Sequence, residues 1–206
     1  MFKFSSKFLG ILIVFLSLQV DSASNEEIFA LQKNNVGTTE LFLNGMGAVK
    51  KLSSNYYIAA LYLPSKYTLD SDIIFLEEPK KMVLKFALDR VSARSFGREL
   101  AGSLKMNNLP EELTDYKTDL RRMIGYFKGI YTKGDTISFV YQPNDGITVF
   151  HNERNLGRIS RPGFDKILFK AWLGEKPVSA SFKKGLVGGN EDTEAVALLR
   201  NYIDIK

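Results

Sequence analysis

Between Leu41 and Leu63 the chain reads LFLNGMGAVKKLSSNYYIAALYL, two apolar runs separated by glycines and small polar residues. The second run, Asn55 to Leu63, is β-prone, with three tyrosines and Ile58, and stops at Pro64, whose nitrogen has no proton to give a strand ladder. Paired strands are the expected result, and the rest of the chain reads as cover for them. Gly45 and Gly47 mark two places where the backbone adopts positive φ or approaches another element closely.

Other segments follow from periodicity. Ile28–Gln32 and Glu40–Asn44 are short strand candidates flanking a turn at Asn34–Thr39, and Lys81–Leu88 alternates so that Met82, Leu84, Phe86 and Leu88 share one face. Ser92 is placed to cap a helix running to about Met106, with Phe96, Leu100 and Leu104 as its apolar stripe and Arg94, Arg98 and Lys105 away from it. Pro110 opens a second helix, whose buried face is Leu113, Tyr116, Leu120, Ile124 and Phe127 and whose end is Gly129. Asp135–Gln142 and Gly146–His151 flank a Pro-Asn-Asp-Gly turn and form a hairpin, with Asn155–Ile159 as a further strand. Pro162 opens a third helix that buries Phe164, Ile167, Leu168, Ala171 and Trp172 and closes at Gly174. A helical turn after Pro177 ends at Gly185, and a terminal helix spans Asp192–Tyr202. Strands, helices, strands and helices in that order predict an α+β fold with a mainly antiparallel sheet.

Composition narrows the function. In 206 residues, 45% of them apolar, one sizeable core forms. The 28 Lys and Arg against 23 Asp and Glu leave +5, spread along the chain as doublets such as Lys80-Lys81, Arg121-Arg122 and Lys183-Lys184. That is a solvated basic surface without the clustered basic and aromatic pattern of nucleic-acid binding. Lys3 and Lys7 precede an uncharged run from Phe8 to Val20, followed by Ser22, Ala23 and Ser24. This is the pattern of a cleaved signal peptide, too short for a membrane span of about 20 residues, so no stable span is expected after cleavage. The expected division is a leader over 1–23, one domain over 24–189 and a helical extension over 190–206. With zero cysteines there is no disulfide, thiolate nucleophile or cysteine metal site, which suits a bacterial periplasm.

Residues that carry chemistry are sparse. A lone His151 makes neither a triad nor a multi-histidine metal site, Glu77-Glu78 and Glu111-Glu112 sit at a turn and a helix start, and Gly188-Gly189 lacks the context of a phosphate loop. No catalytic residue, metal or cofactor is assigned. The aromatic strand and the helix after Ser92 can instead line a cleft, with Tyr57, Phe96 and Ser103 inside and a cation nearby for an anionic ligand; a plain packed core is the competing reading.

Three segments together resemble bacterial, exported chalcone-isomerase-like proteins: LNGMGAVKKLSSNYYIAALYLPSK at Leu43–Lys66, VLKFALDRVSARSFGREL at Val83–Leu100, and RPGFDKILFKAWLG at Arg161–Gly174. The most specific parts are the LNG-x-G turn with its AALYLP strand and the F-x-x-x-L-F-x-x-WLG helix. The resemblance covers most of residues 26 to 187. It implies an open-faced β-sandwich, a large antiparallel sheet with helices packed on one side.

The resemblance also bears on activity. Plant chalcone isomerases use an arginine after the glycine turn, a threonine on the next strand, and a tyrosine and an asparagine on the helix. Those positions fall here on Val49, Tyr57, Phe96 and Ser103, and each departs from the family's residue. Lys50 adjoins Val49 but is expected on the opposite face of an extended strand. Non-catalytic relatives hold a fatty-acid carboxylate with an arginine and a tyrosine; Lys50, Lys51, Arg90 and Arg94 are the candidate cations here, and Tyr57 and Tyr62 the candidate hydroxyls. The leading expectation is an exported, non-catalytic domain that binds a small apolar or amphipathic ligand such as a fatty acid through Lys50, Tyr57, Tyr62, Arg94, Phe96 and Ser103. The alternatives are an isomerase or intramolecular lyase with a rearranged site, and a scaffold for an envelope protein partner that docks on residues 190–206 through Val196, Leu199 and Ile203.

Overall fold

Alternating apolar residues on seven strands build one sheet. In a computed structural model that describes residues 31–206, the strands are β1 (Lys33–Val36), β2 (Thr39–Lys51), β3 (Ser54–Leu63), β4 (Lys80–Phe86), β7 (Thr136–Gln142), β8 (Gly146–His151) and β9 (Arg154–Ile159), and β5 (Val91–Ser92) pairs separately with β6 (Ile130–Tyr131). The order is β1-β2-β3-β4-β7-β8-β9, with every neighbour antiparallel. The helices are α1 (Asp70–Phe75), α2 (Ala93–Asn107), α3 (Pro110–Asp115), α4 (Lys117–Ile124), α5 (Phe164–Leu173), α6 (Ala180–Leu186) and α7 (Asp192–Asp204).

The leader over residues 1–23 and its cleavage region lie outside the described residues, as does most of the Ile28–Gln32 strand expectation. Leu31 is helical and Gln32 a turn. The turn expected over Asn34–Thr39 is narrower: β1 runs to Val36, and the chain reverses at Gly37, whose φ of 59° lies in the left-handed region. The strand expected to stop at Asn44 continues through both glycines to Lys51. The single helix expected after Pro110 is two, parted at Tyr116, whose hydroxyl donates to the Pro162 carbonyl and ties the break to the start of α5.

The two faces of β3 feed different cores. Ala59, Leu61 and Leu63 belong to the large cluster with Leu84, Phe139, Leu100, Leu168 and Trp172, beneath α2 and α5. Ile58, Ala60 and Tyr62 face the other way, toward Met46, Val83, Tyr202 and Ile205. The helices that bury the main core thus lie on one side of the sheet, and the end of α7 closes part of the other. Among the described residues no helix is long and apolar enough to cross a membrane.

The LNG-x-G segment makes helix-to-sheet contact very close. A Cβ on Gly45 would lie 2.1 Å from the Gly185 carbonyl oxygen, and one on Gly47 would lie 2.5 Å from that of Phe182. Neither glycine has positive φ; close approach is their use. Asn44 is an extra residue on β2, since Leu43 pairs with Tyr62 but Gly45 with Leu61. Buried there, its amide donates to the Leu186 carbonyl at 2.9 Å and accepts from the Tyr67 N–H at 2.8 Å, so the bulge fastens α6 and the segment after β3 to the sheet.

Candidate functional site

A second bulge shapes the site. Asn55 pairs with Lys50 but Tyr57 with Val49, so Tyr56 is the extra residue on β3. Alternation would send Tyr56 and Tyr57 to opposite faces, yet both join the helix-side core, with ring centroids 5.2 Å apart. Tyr57 is set edge-on against Phe86, Phe96 and Phe182 at 6.2, 6.4 and 6.3 Å. Such edge contacts hold a ring in one orientation.

Helix α2 supplies the facing wall. Ser92 caps it, its hydroxyl oxygen accepting from the Ser95 N–H at 3.3 Å. Phe96, Leu100 and Ser103 then project from one face toward Ala171 and Trp172 of α5, and with Val49, Tyr57 and Glu99 they enclose a cavity of about 70 Å³. Val178, in the link between α5 and α6, closes its edge.

The electrostatics are distinctive. Ser103 donates its proton to the Ala171 carbonyl. Glu99 holds Lys51 at 2.5 Å, and that ammonium lies 3.5 Å above the Tyr56 ring. Burial pushes the Tyr57 hydroxyl well above the usual phenol range; the Trp172 indole beside it pulls the other way, and the charge of Glu99 adds to the rise. Tyr56 is raised by burial first and by Glu99 second. Both hydroxyls therefore stay protonated at neutral pH, and Phe96 has no proton to exchange.

The structure gathers Val49, Tyr57, Phe96 and Ser103, the four positions that the sequence comparison nominated, around that one cavity. Lys50, Tyr62 and Arg94 do not reach it. Lys50 lines a separate depression of about 250 Å³ beside α7, because its side chain takes the face opposite Val49. Tyr62 is buried in the second cluster, on the far face of the sheet, where burial pushes its pKa up to about 12. Arg94 is exposed in the first turn of α2, as is Arg90 just before it.

Sequence reasoning missed Glu99, although it lies one helical turn after Phe96, and it missed the segment over 174–179, whose Val178 closes the cavity's edge. Asn107 clasps that segment: its amide donates to the Lys176 carbonyl at 2.9 Å and accepts from the Lys176 N–H at 2.7 Å. Lys183 adds a bond to the Gly174 carbonyl at 3.0 Å. Gly174 and Glu175 of the same segment border an open groove of about 490 Å³, whose lining also includes Phe75, Met106, Leu109 and Lys170.

Lys80 corrects the reading of the lysine doublets as solvated surface. It is fully buried, with its ammonium 2.9 Å from Asp165 of α5 and donating to the carbonyls of Ile73, Ile74 and Leu76 at 3.2, 3.0 and 3.0 Å. Burial lowers its pKa, and Asp165 opposes that shift. The pair pins α1 and α5 to β4 outside the cavity. His151 stands 3.5 Å from Asp135, and among the described residues no cluster of acidic or histidine side chains is fit to hold a metal.

A seven-stranded antiparallel sheet with its principal helices on one face, and a cleft between β3, α2 and α5, is an open-faced sandwich. The chalcone isomerase-like family profile matches residues 26–188, and the chain belongs to that family. Among solved structures, the crystal structure of a fatty-acid binding protein of Arabidopsis thaliana is similar at 14% identity, covering 82% of this chain and 93% of that chain with a TM-score of 0.53. That likeness shows the fold. No curated protein matches the sequence.

Proposed function

We propose that this protein is an exported, non-catalytic member of the family that binds a small apolar or amphipathic ligand, of the class to which fatty acids belong, in the cleft beneath Tyr57 and Phe96. One observation carries the reading: the four positions matching the plant enzymes' catalytic residues hold Val49, Tyr57, Phe96 and Ser103 and surround a single, mainly apolar cavity. The fatty-acid binding role of the Arabidopsis protein, which shares the fold, supports it. Export rests on the charged and apolar pattern of residues 3–24, and a bacterial periplasm on that leader together with the absence of cysteine.

Size adds a requirement. The cavity of about 70 Å³ has the volume of roughly two waters, whereas sites for whole small molecules start near ~300 Å³. Binding therefore includes displacement of the segment that carries Val178 at the cavity's edge, with release of the Asn107 clasp. The test is calorimetric titration of the purified protein with a panel of C10 to C14 amphiphiles. Saturable binding that Ser103→Trp abolishes, with the melting temperature held, supports the cleft. Absence of binding in both the wild type and Asn107→Ala refutes it.

A further inference from the structure

The cleft reading leaves open which end of an amphiphile the site recognises, and the lining answers that chemically. Among the described residues that line the cavity, Glu99 is the charged one; no arginine or lysine shares the lining. Lys51, which holds Glu99 at 2.5 Å, lies against the Tyr56 ring and does not line the cavity. The Tyr57 hydroxyl is a neutral donor in the lining, and the other polar atoms offered to a guest are acceptors. Glu99 is acceptor-only when ionised, and Ser103 has committed its proton to the Ala171 carbonyl and keeps lone pairs alone. The Trp172 N–H is engaged beside the Tyr57 hydroxyl. Val49, paired with Tyr57 across the β2–β3 ladder, adds an apolar side chain to the lining.

Resting on the cleft reading, we infer that the site takes an amphiphile whose polar end donates hydrogen bonds, a neutral hydroxyl or a protonated amine, and discriminates against a carboxylate. Two facts converge on this. A carboxylate in the cavity would lose its water and meet another carboxylate at close range, with no donor of opposite charge in the lining. The protein's own groups already register that field, since the charge of Glu99 raises both tyrosines that flank it, after burial. A hydroxyl or ammonium guest instead supplies a donor to the Ser103 lone pairs and to Glu99, which already accepts from Lys51 through one oxygen. Glu99 is itself half exposed, with 45% of its side chain accessible, so solvent screens its charge and the discrimination is moderate rather than absolute.

The experiment compares dodecylamine, 1-dodecanol and dodecanoate on the full chain, each below its aggregation concentration, by calorimetry or native mass spectrometry. The inference expects the amine and the alcohol to bind about tenfold more tightly than the carboxylate. It also expects Glu99→Gln to improve dodecanoate about fivefold while leaving dodecanol within about twofold, for the loss of one screened charge. Should Glu99→Gln fail to fold, the ranking of the three probes on the wild type decides alone. Dodecanoate as the tightest wild-type ligand overturns the head-group assignment and leaves the cleft reading standing. Failure of all three to bind, in the wild type and in Asn107→Ala, overturns both.

Discussion

Gly45, Gly47 and Gly185 interlock so closely that one methyl group is too much. A Cβ on Gly185 would lie 2.1 Å from the Met46 carbonyl oxygen, the reciprocal of the Gly45 contact, and both neighbours are backbone that cannot swing aside. Gly45→Ala is expected to cost about 1–3 kcal/mol or more by overpacking, read as a fall in melting temperature, while Gly102→Ala, with nothing within 4 Å, leaves stability nearly unchanged or raises it through helix propensity. Asp70 gives a pH-dependent counterpart. Its bond with Lys183 holds its pKa below the usual carboxylate range. A depressed folded pKa means that its stabilisation is present above the unfolded value and is lost as pH falls through the folded one. Asp70→Asn should thus lower the melting temperature at neutral pH, and the gap from wild type should close on acidification below the ordinary aspartate range. A gap that persists at low pH rules out the charge as its source. Lys80→Ala strands Asp165 in the core at about 3–5 kcal/mol, whereas replacing both partners with apolar residues of similar size should recover much of that loss in denaturant titrations.

At the scale of elements, much was legible. The strands β3, β4, β7 and β8 and the helices α2 and α5 follow from alternation, capping and the spacing of Phe96, Leu100 and Leu104 or of Phe164, Leu168 and Trp172. The four cleft positions were legible too, through family resemblance. What could not be read were events that depend on partners far along the chain. Tyr56 enters the bulge because the β2–β3 register slips by one residue there, and a one-residue slip reverses a side chain's face without leaving any local mark. Lys80 looked like half of a surface doublet because its partners, Asp165 and the carbonyls that end α1, belong to other elements. Lys50, Tyr62 and Arg94 were nominated for their chemistry, and pleat geometry together with helix phase put each of them elsewhere. The clasp at the cleft's edge is an element-scale device of the same kind. Asn107→Ala removes two bonds to Lys176 and is expected to speed ligand entry and raise amide exchange over residues 174–179, leaving the protection of β3 unchanged.

For the whole molecule, the sheet divides two cores of unequal size, and the smaller depends on the C-terminal segment. Tyr202 and Ile205 are buried against Met46, Ile58 and Tyr62, and the Tyr202 carbonyl accepts from Lys85. This bears on the scaffold alternative: a tail whose deletion leaves the domain intact is free for a partner, and one whose deletion uncovers the sheet is structural. Removal of residues 190–206 is expected to expose that face, and Tyr202→Ala alone to cost about 3–5 kcal/mol, read by equilibrium denaturation. The larger core contains the cleft, and there the central claim stands or falls. The direct measurement is native mass spectrometry, with organic extraction, of the protein isolated from its own host. The account predicts a reproducible bound amphiphile that extraction removes and that the cavity-filling Ser103→Trp variant does not carry. A protein that arrives empty, and stays empty when offered hydroxyl, amine and carboxylate amphiphiles, would contradict it.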